Sequence, residues 1–239
     1  MAESSRRRSG PAAHGEVAPG AADVVYGRRA VAEAKRGRRR VRRVWTADEM
    51  SQAELSRLAG SPDHQGVVAE VDPYPYADPG SLLEHPQALV IALDRVQDTR
   101  NLGAICRSAE AAGAAGVVIP SRNSASVSAA ACKASAGAIE HLPIARVTNL
   151  AVWLEGAKQA GAWLYGAEAG ASVPHTQADL TGKVVLVLGG EAKGLRRRVA
   201  ETCDVLVSIP VRGKVASLNV SAAAAVLLFE TLRQRNPGA

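Results

Sequence analysis

A chain of 239 residues that is 47% hydrophobic but only 3% aromatic can bury a sizeable core of Val, Leu, Ile and Ala, enough for one large domain or a domain plus a small module. No run of about 18 apolar residues is found, which argues against a transmembrane helix, and no apolar stretch follows the first arginines, as a secretory signal would need. Cys106, Cys132 and Cys203 are odd in number and far apart, lack the spacing of a metal site or a disulfide framework, and suit a reducing cytoplasm.

Residues 1–22 are rich in Ser, Gly, Pro, Ala and Arg without periodicity, and are expected to form a disordered basic tail. Residues 23–79 read as a small N-terminal α/β domain with a linker. Val24 to Gly27 suggests a short strand, Arg29 to Lys35 a helix and Val41 to Trp45 a strand; Gln52 to Leu58 suggests a helix and Gly66 to Val71 a strand. The stretch Asp72 to Gly80 carries three prolines in nine residues and can continue neither a helix nor a central strand.

Charge is unevenly placed. Residues 1–45 hold 12 Lys and Arg against 4 Asp and Glu, and the remainder holds 17 against 19. The densest run is Arg36, Arg38, Arg39, Arg40, Arg42 and Arg43. Such a run is either the electrostatic footprint of a nucleic-acid binder or simply a solvated face.

From about residue 86 the pattern is regular α/β. Ala88 to Leu93 is a continuous apolar run, as in a strand buried on both faces. A helix over Leu102 to Ala112, a strand over Gly116 to Ile119, a helix over Ala129 to Ser135 and a strand over Pro143 to Val147 follow. Next come a helix over Leu150 to Gln159, a strand over Ala162 to Tyr165 and the clearest buried strand, Val184 to Leu188. A short helix over Arg196 to Thr202, a strand over Val205 to Ile209 and a long helix over Ser217 to Arg235 close the chain. This alternation predicts an α/β fold, a mostly parallel sheet with helices on both faces, over residues 86–239.

The common fingerprints of such sheets are missing: no G-x-G-x-x-G after a strand, no G-K-[ST], no H-E-x-x-H or paired C-x-x-C, and no G-x-S-x-G. Three other strings stand where an apolar strand meets a helix: Asn101 to Arg107, Leu188 to Leu195 and Ser217 to Ser221. Each sets small residues beside one or two polar groups, which suits a ligand held against backbone at the carboxyl ends of strands.

In order and spacing these strings resemble the three motifs of the SpoU (TrmH-like) family of RNA ribose 2'-O-methyltransferases, with Asp98 to Ala109 as the first, Leu186 to Leu195 as the second and Val207 to Ser221 as the third. Tyr26 to Val31 and His64 to Ala69 resemble the family's N-terminal substrate-binding domain. The nearest likeness is to the branch that methylates a guanosine ribose of large-subunit ribosomal RNA, although Thr99 and Arg100 stand where that branch usually has proline and histidine. The resemblance implies a C-terminal trefoil knot of the SPOUT type, a rare exception among folds, a homodimer with active sites at the subunit interface, and S-adenosyl-L-methionine as methyl donor, with no metal and no membrane.

It also implies site residues. Arg107 is the family's base or alkoxide-stabilising residue; a guanidinium is almost always protonated, which favours the electrostatic role. Asn101, Glu191, Ser217 and Asn219 are expected in the active site, each with helix capping or organisation of a helix start as the plainer reading. Gly189, Gly190, Ile209 and Leu218 fall on cofactor-binding positions; without the resemblance, Ile209 and Leu218 are ordinary core residues. Arg28, Arg38, Arg39, Arg40, Arg42, Arg43 and Arg100 are expected RNA contacts. Gly103 is expected to permit close backbone approach. Three readings remain open: ribose methylation of ribosomal RNA, the same reaction on transfer RNA, and a catalytically silent RNA-binding or ribosome-assembly protein on the same fold.

Overall fold

The computed structural model describes residues 22–191, 194–215 and 217–236; the expected tail thus lies, except for its last residue, outside the described residues. The N-terminal unit comprises β1 (Asp23–Tyr26), α1 (Arg28–Ala34), β2 (Val41–Thr46), α2 (Gln52–Ala59) and β3 (Val67–Val71). Its strands form an antiparallel sheet in the order β1-β3-β2. Helix α2 has a complete capping box: Ser51 accepts from the Glu54 amide, and Glu54 Oε2 accepts from the Ser51 amide. It ends at Gly60, whose φ of 65° suits a glycine C-cap.

The larger unit comprises β4 (Leu89–Asp94), α3 (Thr99–Ala111), β5 (Gly116–Pro120), α4 (Ala129–Ala134), β6 (Ile144–Val147), α5 (Leu150–Gln159) and β7 (Trp163–Ala167), followed by β8 (Val173–Pro174), β9 (Val184–Gly189), α6 (Arg197–Thr202), β10 (Val205–Ser208) and α7 (Val220–Arg235). Its sheet has the order β6-β5-β4-β9-β7-β10-β8, and every strand pairing in it is parallel. Successive residues of the strands feed opposite cores, as a two-sided sheet requires. Ile91, Leu93, Leu186 and Leu188 pack with α3, α4 and α7, whereas Val90, Ala92, Val185 and Val187 pack with α5 and α6.

The structure shifts several expected boundaries. Helix α3 begins at Thr99, capped by Asp98, so Asn101 lies inside the helix and is not its cap. Helix α7 begins at Val220 with Asn219 as its cap, which leaves Ser217 outside the helix. The two-residue strand β8 was below the length that alternation can reveal. Gly103 does permit close approach: a Cβ there would lie 2.6 Å from the Ala131 carbonyl oxygen, so α3 and α4 pack backbone to backbone.

The two units share one core. Val25, Val31, Ala69, Val71 and Tyr74 belong to the same buried cluster as α3 and α4. An enclosed ion pair fastens them. Arg39 is only 5% exposed. It donates from Nε to Glu140 Oε2 at 2.9 Å, from Nη2 to Glu140 Oε1, and from Nη1 to Asp23 Oδ2 at 3.2 Å. This corrects the expectation for Arg39: it is an internal cross-brace with no surface to offer RNA. Arg38 is largely committed to the same junction, donating to the Leu142 carbonyl at 2.7 Å and to the Tyr74 hydroxyl at 3.1 Å.

Removing one partner of an enclosed pair strands the other charge, at a cost of about 3–5 kcal/mol. Glu140→Ala should therefore lower the unfolding free energy measured in urea by about that much. The double variant Arg39→Met/Glu140→Leu should recover most of the loss, and a double variant as unstable as Glu140→Ala would refute this account.

Candidate active site

The carboxyl ends of β4 and β9 lie side by side, with Asp94 paired to Gly189. Asp94 is fully buried against Arg196, accepting from its backbone amide at 2.8 Å and its Nε at 2.7 Å. The Asp94 carbonyl accepts from the Gly190 amide at 2.9 Å, and the Gly190 carbonyl accepts from the Gly194 amide at 3.0 Å. The segment after β9 is thus stapled onto the end of β4. Glu191 sits at its crest.

Three expected site residues meet there. Asn101 donates from Nδ2 to Glu191 Oε1. Asn219 donates from Nδ2 to Asn101 Oδ1 at 3.2 Å and to Glu191 Oε1 at 3.5 Å. The Asn219 amide is oriented by its cap: Oδ1 accepts from the Ser221 amide at 2.8 Å and the Ser221 hydroxyl at 2.6 Å, so Nδ2 must face the other two residues. Glu191 does not cap α6, whose N-cap is Arg196.

A cavity of about 320 Å³ opens beside this cluster. All four expected cofactor positions, Gly189, Gly190, Ile209 and Leu218, line it, together with Ser217 and Glu191. Sequence reasoning missed Glu168, a carboxylate in the same lining; it lies just past β7, which extends further than the apolar run suggested. Gly189 is also needed for packing. A Cβ there would lie 2.1 Å from the Gly194 carbonyl carbon and 2.4 Å from the Leu195 nitrogen. Its missing side chain makes room for the neighbouring chain. Gly194, at φ 59°, has only Glu168 near its own Cβ position among the described residues.

A second cavity, about 540 Å³, lies across the same segment, lined by Arg95, Gln97, Asp98, Glu191, Leu195 and Arg196. Gly190, Glu191 and Gly194 border both spaces. Nothing in the sequence marked this second cavity, because its walls come from loops.

Arg107 is exposed on α3 and makes no hydrogen bond to Asn101, Glu191 or Asn219. Six residues along an α-helix places it about 9 Å further on and about 120° round from Asn101. Arg100 is exposed at the start of the helix. Arg28 is bound to Gln65, whose carbonyl accepts from its Nε at 3.3 Å. Arg42 pairs with Asp72 at 2.6 Å and approaches Glu70 at 3.8 Å. Arg40 is exposed, and Arg43 lies 5.1 Å from the Trp45 ring centroid. The basic run is therefore no continuous cationic stripe. No helix among the described residues is long and apolar enough to cross a membrane.

Residues 88–229 match the family model described as the SpoU rRNA Methylase family, and residues 46–77 match that for RNA 2'-O ribose methyltransferase substrate binding. A putative TrmH family tRNA/rRNA methyltransferase of Bacillus subtilis is 39% identical over 241 residues, covering 90% of this chain and 97% of that protein. A Synechocystis protein named as an uncharacterized tRNA/rRNA methyltransferase is 38% identical over 253 residues, but the chain spans only 66% of its length. The crystal structure of the SpoU methyltransferase AviRb from Streptomyces viridochromogenes, in complex with AdoMet, superposes with a TM-score of 0.75 at 28% identity, covering 90% of this chain and 91% of that one.

Because the backbone of Gly194 occupies the space beside Gly189, Gly189→Ala should lower stability without any ligand present, by about 1–3 kcal/mol as overpacked sites do. Thermal unfolding of the ligand-free protein checks this; an unchanged midpoint would show that the segment yields freely.

Proposed function

The chain belongs to the SpoU rRNA methylase family, and we propose that it transfers a methyl group from S-adenosyl-L-methionine to a ribose 2'-hydroxyl of RNA, a guanosine of ribosomal RNA in particular. The observation that carries this reading is that Asn101 and Asn219 converge on Glu191, which borders two cavities.

The first cavity suits the donor. Glycine backbone at Gly189, Gly190 and Gly194 and apolar side chains at Ile209 and Leu218 offer main-chain contacts and a flat apolar slot. When bound there, the donor supplies an electrophilic methyl group on a sulfonium, so positioning of the acceptor accounts for much of the remaining work. Glu191 Oε1 is occupied by the two asparagine amides. Its Oε2, without a hydrogen-bond partner among the described residues, would accept from a ribose hydroxyl in the second cavity. The asparagines hold the carboxylate in place. The Arg107 guanidinium stabilises the oxygen as negative charge develops on it.

We also infer a homodimer and the trefoil knot. Arg107 lacks a partner within the described residues, while Phe229 on α7 and Val211, Val215 and Leu218 near the first cavity are exposed apolar side chains. A second copy would cover that apolar surface and could bring Arg107 to an adjoining site. In support of the knot, β9 lies between β4 and β7 and the chain continues to β10 beyond them. It then returns past the 190–196 segment so that α7 packs on α3.

Arg107→Ala should reduce turnover on the order of 10²-fold or more, as removal of a transition-state contact does, while donor affinity by calorimetry stays near wild type. Mapping of 2'-O-methyl groups in ribosomal and transfer RNA from a strain lacking the gene identifies the substrate. Loss of a mark in transfer RNA alone would overturn the ribosomal assignment, and no lost mark in either would overturn the reaction.

A further inference from the structure

Outside the N-terminal run, the chain carries slightly more acidic than basic residues, yet the fold gathers arginines on one edge. Arg146 is on β6, Arg122 follows β5 and Arg95 follows β4. Those strands are consecutive neighbours in the sheet, about 4.8 Å apart. All three arginines are exposed. None has a carboxylate partner among the described residues. Arg146 donates from Nη2 to the Ser121 carbonyl at 3.2 Å, which draws its guanidinium up towards the loop that carries Arg122. That loop is tied to the Arg95 loop: the Val96 carbonyl accepts from the Ala125 amide at 2.8 Å and from the Ser124 hydroxyl at 3.2 Å.

The row has two defined ends. At one, Arg146 lies 5.1 Å from the ring centroid of Tyr76, in the segment leading out of the N-terminal unit. At the other, Arg95 lines the second cavity with Glu191. Arg95 holds φ 61°, uncommon for a residue with a side chain. Its carbonyl is pressed against Gly190, where a Cβ would lie 2.5 Å away. Backbone strain held in this way concentrates at functional positions. The carboxylates nearby are Asp98, which caps α3, Glu191 of the site and Asp94, which is neutralised by Arg196; none is paired with the row.

We propose that Arg146, Arg122 and Arg95 form a phosphate track along the carboxyl ends of β6, β5 and β4, leading the RNA backbone from the N-terminal unit to the acceptor cavity. The proposal rests on the reading of the protein as an RNA methyltransferase. A row of arginines on flexible stems suits phosphates, which position a nucleic acid without reading its sequence.

The test uses the full chain and a short mixed-sequence single-stranded oligoribonucleotide, with affinity measured against salt concentration. Each phosphate contact to a single strand contributes about 0.7 to the slope, so Arg95→Gln/Arg122→Gln/Arg146→Gln should flatten it by about 2. Arg95→Gly, which removes the charge and relieves the backbone, should flatten it by about 0.7. Donor affinity should be unaffected in both. A triple variant with the wild-type slope overturns the track, even if the wild type methylates RNA normally. A flattened slope with a wild type that transfers no methyl group would keep the track and remove the methyltransferase reading instead.

Discussion

The buried carboxylate of Asp94 is the constraint from which the rest of the site follows. A charge with no exposure at the end of a central strand is tolerable only if paired and hydrogen-bonded, and Arg196 supplies both a backbone and a side-chain donor. Because Arg196 lies at the far end of the segment that leaves β9, pairing it to β4 closes that segment into an arch whose described residues are 190, 191 and 194–196. The Gly190 amide on the Asp94 carbonyl closes the near end. Glu191 is then displayed between two anchors, at a height where Asn101 from α3 and Asn219 from α7 can reach it. Groups from chain segments far apart in sequence converge because one ion pair sets the arch.

The same arch explains what was legible in the sequence and what was not. Strands β4, β5 and β9 are buried on both faces, so they show as continuous apolar runs, and the alternating α/β order follows from them. Asn101, Glu191 and Asn219 were visible as polar residues in small-residue strings. The role of Gly189 was not, because the atoms that exclude its side chain belong to Gly194, whose approach is a tertiary event. Nor was the start of α3: Asp98 and Asn101 are both good caps by residue type, and only the backbone decides between them.

Charge was the least legible property. A run of arginines reads as one patch, but its members diverge once folded. Arg39 faces inward to Glu140, Arg42 meets Asp72, Arg38 holds carbonyls of the larger unit, and Arg40 and Arg43 remain outward. A strand puts successive side chains on opposite faces, so a basic run that enters β2 cannot stay a single surface. Conversely, Arg95, Arg122 and Arg146 are scattered in the sequence and meet only through strand order. An enclosed ion pair such as Arg39–Glu140 adds little net stability compared with an apolar pair. It is directional, however, and it sets the N-terminal unit at one orientation beside α4.

The glycines of the arch carry one further consequence. At Gly190 a Cβ would strike the Arg95 carbonyl, and at Gly189 it would strike Gly194; side chains at either position would push the arch away from β4. With glycine there, Gly190, Glu191 and Gly194 border both cavities. Those glycines let the chain after β9 lie against the end of β4, and the Asp94–Arg196 pair ties its far end to the same strand.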